Sequence, residues 1–360
     1  MILALRALGI GDLATVVPAL RALRVAAPHD RLALAAPRWL APMVDLIGVV
    51  DQLIDVDGLG PYEWPSTSPD WAVNLHGRGP QSHRLLHTAQ PRRLMAFACP
   101  EAGHHTGPAW RPDEHEVHRW CRLLAWYGIA ANPDDLALRR PPPQDLPIGA
   151  TIVHPGAKAV QRRWPVDRFA AVARELTRRG HRVVVTGSSG ERTVAAEVAA
   201  RAGLPGSAVL AGRTGVGELA TLVAHCRLVV AGDTGIGHLA TAYATPSVLL
   251  FGPVSPALWG PPADRPWHRA LWAGPVPPGP APVTGIHPAL AALGVAQVLA
   301  AVEEVEQVAH EPLAAPRSVA TRQRTSAFPG EHPRPAPPGR SCDGVRPAEP
   351  AWSADAGDGR

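Results

Sequence analysis

The 360-residue chain lacks the patterns that mark several common protein classes. Its four cysteines, Cys99, Cys121, Cys226 and Cys342, are scattered with no C-x-x-C pair. That excludes a zinc ribbon or a disulfide framework and fits a reducing compartment. No apolar stretch reaches the roughly 20 residues that a membrane-spanning helix needs. The opening Met1-Ile2-Leu3-Ala4-Leu5-Arg6 has no basic lead and no cleavage site. It reads as a first strand rather than a secretory signal, and the expected location is the cytoplasm. Lysine is nearly absent, the positive charge comes from arginine, and the net charge is only +4. No nucleic-acid-binding module is recognisable, so no nucleic-acid partner is expected. With 46% hydrophobic residues and a mean hydropathy near zero, the chain is globular and long enough for two cores.

What is present is an alternation of short apolar runs and amphipathic stretches. Strands are predicted at residues 2–5, 31–35, 52–56 and 71–75. Leu13, Val16, Val17, Leu20 and Leu23 fall at helical spacing. Pro18 lies inside that pattern, either tolerated near a first turn or kinking the helix. Another helix is predicted over 113–127. Residues 139–147, Arg-Arg-Pro-Pro-Pro-Gln-Asp-Leu-Pro, break the rhythm as a stiff linker. Beyond it, strands are predicted at 151–153, 181–186, 208–210, 228–231 and 247–251, and helices at 167–179 and 295–308. The expected fold class is α/β, with two Rossmann-like, doubly wound domains facing across a cleft. Their expected boundaries are 1–138 and 149–310, joined by a linker at 139–148. A Pro/Arg-rich stretch at 311–360 without periodicity reads as a disordered tail.

Several segments carry chemistry. Residues 228–238, Leu-Val-Val-Ala-Gly-Asp-Thr-Gly-Ile-Gly-His, run from a buried strand through a glycine-rich turn into a helix. A helix N-terminus offers unpaired N–H groups, and glycine lets an anion approach them. Asp233, Thr234, Gly235 and His238 therefore suit a diphosphate, although an ordinary capped turn fits the same residues. Gly9-Ile10-Gly11-Asp12 ends the first strand, where open α/β sheets place ligands. Asp12 there either accepts a proton from a reacting hydroxyl or merely caps the helix. Gly9, Gly11 and Ala14 also fit G-x-G-x-x-A, a loose dinucleotide fingerprint. Against a nucleotide-dependent oxidoreductase stand the charge of Asp12 and a second strand that runs into Ala35-Ala36-Pro37-Arg38 without a ribose-binding acid.

Lys158, Arg162 and Arg163 follow a strand in the segment from His154 to Pro165. They read as cations for a departing diphosphate or as a solvated basic loop. The turn from Thr186 to Glu191, with Ser188, lacks the Lys-Ser/Thr ending of a P-loop, so ATP hydrolysis is not suggested. His76-Gly77-Arg78 follows the fourth strand on the edge expected to face the cleft. His115 and His118, beside Glu114 and Glu116, do not form H-E-x-x-H and read as a solvated helix face. Asp55-Val56-Asp57 spells D-x-D at a strand end but reads as a turn, so no metal is implied.

The run from Gly232 to Pro253, with Ser255-Pro256 and Trp259 after it, resembles the donor-site signature of glycosyltransferase family 9. That family includes the ADP-heptose:lipopolysaccharide heptosyltransferases. Gly9-Ile10-Gly11-Asp12, and His154-Pro155-Gly156 with Arg163-Trp164-Pro165, match in the same order, so the resemblance spans roughly residues 1 to 308. It implies GT-B architecture and an inverting, metal-independent transfer of a sugar, heptose by family, from a nucleotide-diphospho-sugar. An ADP-sugar is the donor it favours, and no separate cofactor is expected. It makes Asp12 the general base. It assigns the donor to Lys158, Arg162, Ser188, Glu191, Asp233, Thr234, Gly235 and His238, with Glu191 at the ribose. Gly11, His76 and Arg78 fall to the acceptor. Arg162 departs from the family pattern, which often has Lys two residues before the Trp-Pro pair; Arg keeps the charge but changes the geometry. The expected partners are the donor and a glycan or glycolipid acceptor at the inner membrane surface, and the expected state is a monomer. The alternatives are a non-catalytic sugar-nucleotide-binding protein and a sugar-nucleotide epimerase of the same fold.

Overall fold

A computed structural model describes residues 1–64, 68–143, 145–275 and 285–310. The expected tail at 311–360 lies outside the described residues. The first sheet comprises β1 (Ile2–Leu5), β2 (Leu32–Ala36), β3 (Gln52–Asp55), β4 (Trp71–Asn74) and β5 (Arg93–Met95), in the order β3-β2-β1-β4-β5. The second comprises β6 (Thr151–His154), β7 (Val183–Val185), β8 (Leu228–Gly232), β9 (Ser247–Leu250) and β10 (His268–Leu271), in the order β10-β9-β8-β6-β7. Every pairing is parallel. Parallel neighbours need crossovers, and helices supplying them cover both faces of each sheet. That is why β1, β2, β6 and β8 are buried along their whole length; β1, β2 and β8 are apolar runs, while in β6 the buried Thr151 and His154 lie within hydrogen-bond distance of His181 and Thr186.

In the first lobe the helices are α1 (Ile10–Thr15), α2 (Val17–Ala26), α3 (Ala41–Ile47), α4 (Gln81–His87) and α5 (Glu116–Trp126). In the second they are α6 (Val166–Arg178), α7 (Arg192–Ala202), α8 (Val216–Ala224), α9 (Gly235–Tyr243), α10 (Pro256–Trp259), α11 (Pro288–Ala291) and α12 (Val295–His310). Buried apolar residues of both lobes join in one core, in which Leu13, Val17 and Leu20 connect with Leu222, Ile236 and Leu239. A second core around Phe169, Leu176, Val230 and Val302 lies within the second lobe. Trp164 is buried there, donating its indole N–H to the Leu293 carbonyl at 3.0 Å and meeting Phe169 edge-on at 5.0 Å. It anchors the preceding loop.

Four expectations are corrected. The helical spacing from Leu13 to Leu23 belongs to two helices, broken at Val16, and Pro18 sits in the first turn of α2, where its missing N–H costs nothing. The helix expected from Asp113 starts at Glu116, because His115 Nδ1 accepts the Val117 N–H at 3.3 Å and caps it. The strand expected at 208–210 is a 3-10 turn over Gly206–Ala208 followed by a single bridge, Val185 to Val209. Last, β10 and β5 escaped the apolar pattern because they sit at sheet edges and carry exposed or half-exposed arginines, Arg269 and Arg93.

The strand order reverses between β1 and β4 in the first sheet and between β6 and β8 in the second. Open α/β sheets bind ligands beyond the carboxyl ends of strands at such switch points. Asp12 follows β1 and His76 follows β4, while Gly156 follows β6 and Asp233 follows β8. The topology therefore gathers these four segments at the two ligand-binding edges.

Candidate active site

The two edges meet through glycine. A methyl group on Gly235, at the start of α9, would lie 2.9 Å from Ile10 Cβ and 3.1 Å from the Gly11 nitrogen. One on Gly11 would lie 2.8 Å from His238 Cδ2. Backbones this close leave no room for a side chain. Both helices point their N-termini, with their partial positive charge, into this junction. Asp12, Thr234 and His238 thus share one corner between the lobes.

Asp12 is 30% exposed. Its Oδ2 accepts the Gly9 N–H at 3.1 Å, closing the first turn of α1, and its Oδ1 lies 3.3 Å from Arg6 Nη2. The carboxylate therefore does cap the helix, but a group that is part-exposed at the cleft keeps lone pairs for another proton. Arg6, which follows β1, is only 1% exposed. It also donates to Glu116 Oε1 at 2.9 Å and lies over the Trp120 ring at 4.8 Å. Glu116 is ion-paired with Arg119 as well. This corrects the solvated reading of the helix face around His115. His118 is exposed, whereas Glu116 is buried and His115 half-buried, because the face turns toward Arg6 and the second lobe. Sequence reasoning missed both Arg6 and Glu116. The available signal was an arginine directly after four core residues, which demands a buried counter-charge.

His76 sits beside this cluster. Burial and then the Arg6 charge push its imidazole down to about 4, with Asp12 opposing, and its buried Nδ1 has no partner. Arg78 is exposed and lends its charge to Glu101.

On the donor side Asp233 is buried and ion-paired with Arg162, whose Nη2 also donates to the Asp233 carbonyl at 2.8 Å. The basic loop thus does face the glycine turn, but its arginine is already engaged. Lys158, the only lysine in the chain, is exposed. Thr234 caps α9 in extended conformation without a side-chain bond to the helix; its carbonyl accepts the Gly237 N–H at 3.0 Å, which leaves the Gly235 and Ile236 N–H groups for an anion. Burial lowers the His238 imidazole, with Asp233 and then Asp12 opposing, and Trp259 stands edge-on at 5.9 Å. Glu191 Oε2 accepts from the Ser188 N–H at 2.7 Å and its Oγ at 2.8 Å. The same carboxylate covers Gly156, where a Cβ would lie 2.3 Å from Oε1. Asp55 of the D-x-D accepts the Arg38 N–H at 2.9 Å and so serves a turn.

The lobes are closed on each other. His115 Nε2 lies 3.0 Å from the Gly260 carbonyl, and Arg265 donates to the Asp134 carbonyl at 3.1 Å. The cavity lined by Thr15, His115, His238 and Thr241 is about 20 Å³, room for about one water.

Residues 109–272 match the model of glycosyltransferase family 9 (heptosyltransferase). Over these residues the chain is similar to glycosyltransferase family 9. It is 29% identical over 128 residues to lipopolysaccharide heptosyltransferase 3 of Escherichia coli, covering 34% of this chain and 36% of that protein. It is 35% identical over 117 residues to lipooligosaccharide heptosyltransferase 2 of Haemophilus influenzae, covering 31% and 33% respectively. The family 9-like chain thus matches about a third of the length of these curated relatives. Its fold matches more widely. The structure of E. coli ADP-heptose lps heptosyltransferase II superposes with a TM-score of 0.67 at 21% identity, over 86% of this chain and 99% of that one. The architecture is GT-B, two Rossmann-like domains facing across a cleft, as the topology required.

Proposed function

We propose that this family 9-like protein is an inverting, metal-independent glycosyltransferase that moves heptose from ADP-heptose to a hydroxyl of a glycan or glycolipid. The observation that carries the reading is the Gly11–Gly235 contact, which sets a part-exposed carboxylate against the open N-terminus of α9. The acceptor hydroxyl enters along the His76–Arg78 edge, and its oxygen attacks the anomeric carbon opposite the diphosphate. Asp12 takes the hydroxyl proton as the new C–O bond forms. The old bond breaks with its electron pair leaving on the nucleoside diphosphate, so one displacement inverts the centre. The α9 N–H groups, the Thr234 hydroxyl, His238, Arg162 and Lys158 stabilise that growing charge, while Glu191 and Ser188 hold the ribose. The heptose and adenine assignments follow the names of the similar proteins, and a lipopolysaccharide-type acceptor follows from the same names. We place the reaction on the cytoplasmic face of the inner membrane.

A panel of nucleotide-diphospho-sugars tests the donor, since a ligand that binds only the folded state raises the melting temperature. ADP-heptose is expected to give the largest rise. Asp12→Ala is expected to lower turnover by about 10²–10⁴-fold while the ADP-heptose Kd stays within about twofold. Equal loss of turnover and affinity would reduce Asp12 to a helix cap. Conversion of the donor sugar without any acceptor would instead indicate an epimerase.

A further inference from the structure

Behind Asp12 lies a buried ionic cluster that the transfer mechanism has not used. Arg6 spends its guanidinium on fixed partners: Nε donates to the Asp12 carbonyl at 3.0 Å, Nη1 to the Leu75 carbonyl at 2.6 Å, and Nη2 to Glu116 Oε1 at 2.9 Å and Asp12 Oδ1 at 3.3 Å. The planar fork cannot turn without breaking several of these bonds. It ties α1 to the end of β4 and to α5, the three segments that frame the first switch point. Glu116 is 5% exposed and also accepts the Trp120 indole N–H at 3.0 Å.

We propose that Arg6 and Glu116 are positioning residues for the transfer, with Arg6 aiming the Asp12 carboxylate and Glu116 setting its proton affinity by balancing the Arg6 charge. The inference rests on the reading of Asp12 as the general base.

The physical argument concerns balance. An uncompensated guanidinium at this distance lowers the proton affinity of a carboxyl by about 1–3 pH units, which weakens it as a base. Glu116 and Asp12 bond the same Arg6 nitrogen, which puts their carboxylates within the roughly 6 Å over which one charge acts on another. Glu116 holds the shorter of the two bonds to that nitrogen, which leaves Asp12 the looser one. Arg119 brings a second cation that shares Glu116 with Arg6 and also donates to the carbonyls of Arg111 at 3.0 Å and Glu114 at 2.8 Å, so loss of the Glu116 charge leaves two guanidiniums facing Asp12 alone. Asp233, from β8, is paired with Arg162. His76 after β4, His115 on α5 and His238 on α9 are each pushed toward the neutral form by burial. Stability alone does not account for the cluster, because a buried ion network is seldom more stable than apolar packing of the same volume.

The test reads Asp12 directly. In the full-length protein, the ¹³C-carboxyl resonance of Asp12, assigned by its loss in Asp12→Asn, is titrated in wild type, Glu116→Gln, Arg6→Met and the double variant. Glu116→Gln is expected to move the midpoint down by about one pH unit and Arg6→Met up by about as much, with the double variant returning toward wild type. The acidic limb of the kcat/KM profile for transfer is expected to move in the same directions, with kcat lower by about tenfold in Glu116→Gln and the donor KM unchanged. A folded Glu116→Gln protein whose Asp12 midpoint stays within about 0.3 pH units of wild type overturns the proposal. If Arg6→Met does not fold, Glu116→Gln against Glu116→Asp decides alone: only the variant that keeps the charge should keep the wild-type midpoint. A shifted midpoint in a protein that transfers no sugar supports the Glu116–Asp12 coupling and sinks the reading of Asp12 as a base.

Discussion

At Asp12 and Asp233 the two lobes present carboxylates beside helix N-termini, and each is met by an arginine from another segment, Arg6 and Arg162. The Arg162 pair makes a residue-level prediction. Asp233 is buried, so Arg162→Ala leaves a carboxylate without its cation at the proposed diphosphate site. Charge-assisted bonds are worth about 1.5–3 kcal/mol, so the donor KM is expected to rise by roughly ten- to a hundredfold in steady-state kinetics. Arg162→Lys should recover part of that loss, since it keeps the charge but replaces the longer, planar guanidinium by a compact ammonium. Lys158→Ala, at an exposed side chain, is expected to change the donor KM by no more than about threefold. An equal effect from the two alanine variants would mean that the phosphates lie nearer Lys158 than the Asp233 corner.

Among the elements, the crossing of α1 and α9 decides whether the site exists. An alanine methyl at Gly235 would meet Ile10 Cβ at 2.9 Å and the Gly11 backbone nitrogen at 3.1 Å, and backbone cannot rotate aside. Overpacking of this kind costs typically about 1–3 kcal/mol, partly offset by the better helix propensity of alanine. A shift near 1 Å at the reacting groups costs about 10²-fold in rate. Gly235→Ala is therefore expected to melt within several degrees of wild type while losing about two orders of magnitude in kcat/KM. A variant with full activity would show that the lobes need not touch here during transfer.

For the molecule as a whole, closure and linker are coupled. Arg139 bonds the carbonyl of Asp45 in the first lobe and Arg140 those of Ala224 and Tyr243 in the second, so the residues read as a linker are stitched to both sides. Stability should also depend on pH in one direction. Burial holds His76 and His268 down to about 4, from an ordinary 6.5. A folded value below the unfolded one means that the unfolded chain takes the proton first. Their contribution is then complete above about pH 6.5 and is lost as the pH falls from 6.5 toward 4. His268 lies on β10 with Nδ1 at 2.8 Å from Ser247 Oγ, and it has no part in the proposed chemistry. The urea midpoint is expected to fall between pH 7.5 and 4.5, and to fall less in His268→Asn. A variant as pH-sensitive as wild type would assign the effect to other histidines.

The sequence by itself determined the buried parallel strands β1, β6, β8 and β9 and the glycine turns after β1 and β8. Strands covered on both faces are mostly apolar, and close backbone approach admits only glycine, so both leave local marks. That Asp12, Thr234 and His238 stand beside those turns was legible for the same reason. The tertiary structure alone decided that Glu116, in a run of histidines and acids that reads as surface, is buried, since its partner Arg6 arrives from the far end of the fold. It also decided that Arg162 and Asp233 pair and that β10 completes its sheet despite a polar sequence. Apolar periodicity reports burial within one segment, whereas the burial of a charge depends on which distant segment brings its opposite.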